Sequence, residues 1–479
     1  MMKYLCSFMF AVTLSGCASM GDVENSQSTL NTPESFGAVD IEWHRPSSHW
    51  WERYHDSGLN ALINQALSQS PDIRLAQARV SQAAAVANQA SAERGPKVDG
   101  SARATRKRYA EQYDADAPLA GHYGSTFVLG AEARYTFDFW GRQRAALNVV
   151  LGEKAARQAE VQDAKILLTS QIAESWFELS RLLERKKLAE DALELRTRTL
   201  RIVESRVKAG LDTEVERWQA EGDLPATERD IAELDERISL QRNTLAALAG
   251  LPMKALADAV PNVEPARESF LPASIPAELI GQRADVVAAR WRVEVATQGV
   301  EVAKADFYPN INLRAFAGVA RQGLSVGLSD WFDAGSRTYS IEPAISLPIF
   351  DAGQLRAQLK ERVSDLDAAV EIYNQVLLAA VRDAANQMVS LDALEPQLQA
   401  QERALSARRT AFDLAKRQYA SGLTNYLTVL NAQNALLQAR KQQADIRSRA
   451  LVLDAELNRA LGGGFDTSNS TIHFTGKSS

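Results

Sequence analysis

The sequence predicts an α+β membrane protein with an internal structural duplication, in which short amphipathic strands alternate with very long helices. Three observations carry this reading. The chain of 479 residues matches itself at an offset close to 212. Each copy holds two stretches of about ten residues that alternate with period two, apolar on one face and partly charged on the other. Most of the remainder is rich in Ala, Gln, Glu, Arg and Leu, a composition that favours long helices.

The N-terminus comes first. Lys3 supplies a positive charge, Tyr4 to Leu14 is mostly apolar, and Leu14-Ser15-Gly16-Cys17 follows. That order reads as a secretory signal over 1–16, because the apolar run is short of the ~20 residues that a membrane span needs. The tetrapeptide resembles a bacterial lipobox, which implies acylation of Cys17. The only other cysteine, Cys6, lies inside the signal, so no disulfide framework explains Cys17. Ala18 in place of Asp favours, by the same resemblance, sorting to the outer membrane. Several acyl chains bury enough CH₂ groups, at about 0.8 kcal/mol each, for a stable anchor. An extended, lipid-anchored segment over 17–57 is therefore expected.

The duplication emerges from landmarks in a fixed order. Pro71-Asp72-Ile73, Arg79, Val80 and Pro96 match positions 213 residues on, around Asp285-Val286, Arg292, Val293 and Pro309. Tyr135 to Arg142 matches Leu347 to Gln354, and Ala209-Gly210-Leu211 matches Ser421-Gly422-Leu423, both at 212. One single-residue gap reconciles them. The expected repeats are 58–270 and 271–461, with a flexible Ser/Thr/Asn-rich tail over 462–479.

Strands are expected at about 97–108 and 125–138 in the first repeat, and about 310–320 and 337–350 in the second. Phe127, Leu129, Ala131, Ala133, Tyr135 and Phe137 share one face, and Thr126, Glu132, Arg134 and Thr136 the other. Tyr339, Ile341 and Ile345 alternate in the same way with Ser340, Glu342 and Ser346. The offset preserves this phase, as a sheet requires, since a one-residue slip flips every side chain. Asp99, Arg103, Glu132, Arg134, Arg314 and Glu342 all fall on the polar face, which suits a wet lumen better than a dry core. Strands of this length and pattern carry the transmembrane β signature. Four strands cannot close a barrel, and lipid does not tolerate open edges. A trimer would supply twelve strands.

The rest reads as helix: 58–95, 141–210 and 213–249 in the first repeat, then 277–307, 353–422 and 424–461. Each long helix of about 70 residues would extend roughly 100 Å at 1.5 Å per residue, although Gly152 and Pro396 disturb the pattern. Two shorter helices end to end match its length, so a two-ply wall is expected. Ala155, Ala156, Ala159, Ala164, Ala368, Ala369, Ala379, Ala380, Ala384 and Ala385 would permit close helix approach. No sustained Leu or Ile heptads mark a solid coiled coil.

Chemistry is absent from the pattern. The formal net charge is −6 with both signs interspersed, which gives no basic face for nucleic acid. The histidines, His44, His49, His55, His122 and His473, fit no zinc spacing. No nucleophile elbow or phosphate loop occurs. No catalytic residue, metal or cofactor is expected, apart from the covalent lipid on Cys17.

The ordered motifs resemble those of the bacterial outer-membrane factor family, the TolC/OprM-like channels, and in style its NodT-like lipoprotein branch. Phe137-Asp138-Phe139-Trp140-Gly141-Arg142 resembles E-x-D-x-F/W-G-R, with Thr136 in place of the Glu. Leu347-Pro348-Ile349-Phe350-Asp351-Ala352-Gly353 resembles L-P-[IL]-F-D-x-G. Gln418 to Leu430 resembles R-Y-x-x-G-x-x-[ND]-Y-L-x-V-L, with Gln418 in place of Arg.

The resemblance implies a homotrimer, a twelve-stranded transmembrane β-barrel continuous with a twelve-helix periplasmic α-barrel, and a passive efflux conduit in the outer membrane. It also implies a periplasmic adaptor (membrane fusion) protein and an inner-membrane RND-type transporter as partners. Adaptor contacts would fall at the hairpin tips, on Arg206, Gly210, Leu211, Asp212 and Thr213, and on Ser421, Gly422, Leu423 and Thr424. Helix-capping acceptors are expected at Asp212 or Thr213 and at Thr424 or Asn425. The periplasmic gate would be formed by Leu427 and Asn431, with Tyr426 in the adjoining lock. Related channels carry Asp where this chain has Asn431, so pore closure here should depend less on pH and cations.

Two other functional classes share parts of the pattern. A type I secretion channel would use the same architecture. A periplasmic coiled-coil adaptor or scaffold lipoprotein would share the hairpins but lack duplicated amphipathic strands, and a porin or adhesin would need more of them.

Overall fold

The computed structural model describes residues 20, 23, 25–40, 47–112, 119–263, 274–324 and 333–463. Cys17, the signal, His44, His473 and the tail beyond Gly463 lie outside them. The chain divides into two compact units. One comprises Met1–Leu30, Val80–Arg157 and Ala289–Tyr373; the other comprises Asn31–Arg79, Gln158–Ala288 and Asn374–Ser479.

The first unit is organised by one antiparallel sheet of four strands, β1 (Lys97–Arg108), β2 (Tyr123–Phe137), β3 (Asn310–Gly323) and β4 (Arg337–Ser346), in that spatial order. The register pairs Asp99 with Glu132, Arg134 with Arg314, and Arg314 with Glu342, so these five charged positions share one face. Val98, Ala133, Ala315 and Ile341 form a row on the opposite, apolar face. β1 and β4 are edges with no strand partner among the described residues.

Gly130 stands opposite Gly318 on the polar face, and both are required there. A Cβ on Gly130 would lie 2.5 Å from the Phe316 ring, and one on Gly318 would lie 2.3 Å from the Leu129 carbonyl oxygen. The aromatic ring lies over the paired glycines and covers backbone that lacks side chains.

β4 stops at Ser346 rather than reaching residue 350, because Pro348 offers no N–H to a ladder. Pro343 sits within β4, which an edge strand tolerates. At the strand ends that lead into the helices lies an aromatic cluster. Tyr135 meets Phe137 edge-on at 4.9 Å, Phe137 stacks on Phe139 at 5.6 Å, and Trp140 stacks on Tyr308 at 4.9 Å. Trp140 Nε1 donates to the Pro309 carbonyl at 2.7 Å. Amphipathic Trp and Tyr rings of this kind are characteristic of a membrane interface.

The helices are α1 (Ser57–Gln69), α2 (Pro71–Glu93), α3 (Arg142–Lys208), α4 (Glu214–Leu248), α5 (Ala277–Gly281), α6 (Ala284–Ala305), α7 (Gln354–Ala420) and α8 (Tyr426–Ala460). The continuous helices expected over 58–95 and 277–307 are each broken. Pro71 has no N–H and biases Ser70 away from helical angles (ψ 130°), which ends α1. The second repeat breaks at the matching place, Gln282-Arg283, with no proline. Conversely, α7 passes through Pro396 and α3 through Gly152 without interruption. Gly152 is a packing position: a Cβ there would lie 2.8 Å from a Val295 methyl on α6.

The helical unit has a core around α1 and the middle of α3, where Tyr54, Leu59, Ile63, Ile172, Phe177 and Leu245 are fully buried. The N-terminal segment belongs to this core, since Trp50 and Trp51 are buried too. Asp56 caps α1 by accepting from the Leu59 N–H at 2.9 Å, and also accepts from Trp176 Nε1 and the Asn262 N–H, each at 2.8 Å. Tyr54 donates to Asp454 at 2.5 Å, and Arg53 pairs with the same carboxylate. A smaller cluster repeats the arrangement in the second copy, with Leu279, Leu391, Leu394, Leu457 and Leu461. Among the described residues no helix is long and apolar enough to cross a membrane.

Candidate functional site: the hairpin tips and the face of α8

Both long helices reverse through the same backbone motif. After α3, the Gly210 N–H bonds to the Val207 carbonyl at 3.0 Å and the Leu211 N–H to the Arg206 carbonyl at 2.9 Å. After α7, Gly422 bonds to Tyr419 at 3.0 Å and Leu423 to Gln418 at 2.9 Å. These are Schellman closures, and they need a left-handed residue: φ is 67° at Gly210 and 73° at Gly422.

The next helices begin with side-chain caps. Thr213 Oγ1 accepts from the Val215 N–H, while Glu216 accepts from the Thr213 N–H at 2.8 Å, a reciprocal capping box. Asn425 Oδ1 accepts from the Thr428 N–H at 3.1 Å. Of the alternatives left by the sequence, Thr213 and Asn425 are the caps. Thr424 instead donates to Thr428 Oγ1 at 3.0 Å, and Ser421 to the Arg417 carbonyl at 3.1 Å.

Asp212 is free of capping and joins the two tips. Arg206 Nε donates to it at 2.9 Å and the Tyr419 hydroxyl at 2.5 Å. The Arg206 guanidinium lies 4.6 Å over the Tyr419 ring. The Asp212 side chain is 7% exposed. Burial alone would raise its carboxyl, but the bonds from Arg206 and Tyr419 outweigh burial and hold it below the ordinary 3.8. The same arrangement raises the Tyr419 phenol, first through burial and then through the hydrogen bond to Asp212.

Tyr426 does not carry a hydrogen bond in this lock among the described residues. It is 2% exposed and packs 6.2 Å from Tyr419, against Val203, Ala220 and Phe412. Burial, with Asp223 nearby, pushes its phenol up to about 12. The hydroxyl in reach of Asp212 is that of Tyr419, at the end of α7, which the sequence did not single out.

Leu427 and Asn431 both lie on the exposed face of α8, with Leu427 50% exposed. Asn434 continues this stripe at the spacing of the next turn. Its Oδ1 accepts from Arg196 Nη2 at 2.8 Å, and the same guanidinium bonds the Asp223 carbonyl at 3.1 Å and Thr227 Oγ1. One arginine thus clasps α3, α4 and α8 together behind the stripe. Arg181 and Arg185 repeat the device further along, both holding Asp445 at 2.8 and 2.7 Å.

At the far end of α8 is a second polar cluster. Asp163, Arg283, Asp285, Asp383, Arg459 and Gly462 border a cavity of about 240 Å³. Arg283 is already committed to Asp285, at 2.8 and 3.1 Å. Burial and the neighbouring Asp285 raise the Asp163 carboxyl to about 6, against the opposing pull of Arg283 and Arg459.

A sheet with one apolar and one charged face, joined to paired helical hairpins, defines a subunit of a channel in the bacterial outer membrane. The comparisons agree. The profile described as "Outer membrane efflux protein" matches residues 62–251 and 275–463. The chain belongs to that family, the TolC/OprM-like outer-membrane efflux channels, and is not an enzyme. It is 34% identical over 73% of its length to the fusaric acid resistance protein FusA of Burkholderia cepacia, covering 67% of that protein. It is 29% identical to the pyoverdine export outer membrane protein OpmQ of Pseudomonas putida, over 98% of this chain and 99% of that one. Among solved structures, the outer membrane protein VceC of Vibrio cholerae is similar, with a TM-score of 0.82 and 36% identity over 88% of this chain and all of that one.

Proposed function

We propose that three copies of this chain close a twelve-stranded barrel continuous with a twelve-helix periplasmic tunnel, which passively conducts small molecules delivered by an inner-membrane RND-type transporter through a periplasmic adaptor. The observation that carries the proposal is the sheet: one lipid-compatible face, one charged face, and two open edges. Lipid does not tolerate an open edge, so another strand must cover each. The charged face then lines water. The two matched stretches, 62–251 and 275–463, support a chain built from repeats 58–270 and 271–461.

The adaptor would dock on the tips. In a Schellman turn the residue after the glycine commonly packs back onto its own helix. Here Leu211 is 65% and Leu423 78% exposed instead, at equivalent positions of the two repeats. Two apolar side chains held outward on rigid turns suit a partner that buries them. The Arg206–Asp212–Tyr419 lock would hold the tips together in a closed state, with Leu427 and Asn431 of three chains converging at the gate. Cys17 would carry the lipid that ties the N-terminal segment to the membrane.

Detergent-extracted protein, weighed by light scattering and inserted into planar bilayers, tests the proposal. A trimer that conducts in discrete steps is the expected result; a monomer that never conducts would leave a helical scaffold.

A further inference from the structure

We propose that the outward face of the sheet carries an arginine rim, formed by Arg106, Arg108 and Arg337, that binds the phosphate groups of outer-leaflet glycolipid. The inference rests on the channel reading, which sets the orientation. All four strand ends that connect to helices, at Lys97, Phe137, Asn310 and Ser346, lie at one end of the sheet. With the helices in the periplasm, the opposite end faces the outer leaflet.

The register places Arg106 in the row of Ser125 and Gly323, Arg108 beside Tyr123, Arg321 beside Phe127, and Arg337 beside Val319. Each of these rows belongs to the apolar face. That face therefore carries four charges within its strands, all of them arginine and all at the outer end. The strand carboxylates, Asp99, Glu132 and Glu342, are on the other face. Arg321 is neutralised locally by Asp333 at 3.1 Å. Arg106, Arg108 and Arg337 are exposed and make no ion pair with a described residue.

A cation on a lipid-facing position is costly at the bilayer centre and nearly free at the interface, so position alone is tolerable. Among the described strand residues no acid lies on this face, which points to anions supplied from outside. Arginine rather than lysine suits phosphate, since its planar fork donates two parallel hydrogen bonds. Arg106 and Arg108 are two residues apart on one face, about 7 Å. Arg337 sits on β4, the opposite edge, so closing the ring brings it beside the β1 edge of the next copy. The rim would be continuous only in the assembled barrel.

The test is glycolipid binding by the full-length protein in detergent, with lipopolysaccharide as the probe and bound phosphate counted per chain. The triple variant R106Q/R108Q/R337Q should bind at least about ten-fold more weakly. Lipopolysaccharide stripped of phosphate should bind the unaltered protein as weakly, and inorganic phosphate should not compete. K97Q, at the periplasmic end, should bind normally. If the triple variant does not assemble, R108Q and R337Q singly should each lose about three-fold. Equal binding by variants that still conduct as trimers would overturn the rim alone, as would equal binding of the dephosphorylated glycolipid. An unaltered protein that never forms trimers would instead overturn the reading beneath it.

Discussion

Of the places where the helical unit sets an aspartate beside arginines, the hairpin tips and the far end of α8 push their carboxylates in opposite directions. At the tips, Asp212 receives two directed hydrogen bonds and stays ionised well into acid. Beside the α8 terminus, Asp163 has arginines near but none directed at it, because Arg283 is bound to Asp285, whose charge adds to the penalty of burial. Proximity to a cation is therefore not enough; the donors must point at the carboxylate to offset its lost hydration. The tips hold a fixed ion pair, while the α8 terminus holds an acid that protonates in mild acid.

Removing the Asp163 charge should have the largest effect on stability. Its folded value lies above the ordinary 3.8, so the folded state binds the extra proton, and its contribution to stability falls as pH rises from about 4 to about 6. Asp163→Asn should stabilise the protein by about 2 kcal/mol at pH 8 and hardly at all at pH 3.5. Denaturant unfolding at both pH values measures this. Equal effects at the two would remove the contrast with Asp212.

The sign reverses at the tips. A carboxyl held below 3.8 stabilises fully above that value and loses its contribution as pH falls through the depressed one. Asp212→Asn or Tyr419→Phe should cost about 1–2 kcal/mol of local stability at neutral pH. Hydrogen exchange at 206–213 and 419–426 should accelerate about ten-fold, with more open-channel time in bilayers. No acceleration at either tip would mean that the lock does not hold them.

The leucines of the turns should matter to a partner and not to the fold. L211A/L423A should leave trimer stability and conductance unchanged while weakening adaptor binding about ten-fold, read by pull-down with the cognate adaptor. The smallest effect is expected at the gate. With Asn431 neutral, conductance should show no carboxylate-like transition between pH 4 and 8, whereas Asn431→Asp should introduce one. A sharp transition in the unaltered channel that N431A abolishes would contradict this.

Much of this was legible in the sequence because period-two alternation survives the duplication: the observed register puts Glu132, Arg314 and Glu342 on the face that the alternation assigned to them. The glycines of the tips were equally plain, since a left-handed turn between long helices has few alternatives. The lock was not. Asp212 is a good capping residue by type, and only the folded chain shows that Thr213 caps while Asp212 reaches a tyrosine 207 residues away. The break at Gln282-Arg283 also carried no signal, lacking the proline that marks its counterpart. The segment before α1 read only as extended and lipid-anchored, yet Trp50, Trp51 and Tyr54 form core, and Tyr54 is held by Asp454 from the other end of the chain.

The central claim is that β1 of one copy pairs with β4 of the next. Cysteine pairs on the outward face, one from Val98, Ala102 or Ala104 and one from Tyr339, Ile341 or Ile345, test it by oxidative cross-linking in membranes. Covalent dimers and trimers from at least one combination, with no cross-link inside a single chain, is the result predicted. Cross-linking confined to single chains would show that the sheet closes on itself, and the channel would have to be built some other way.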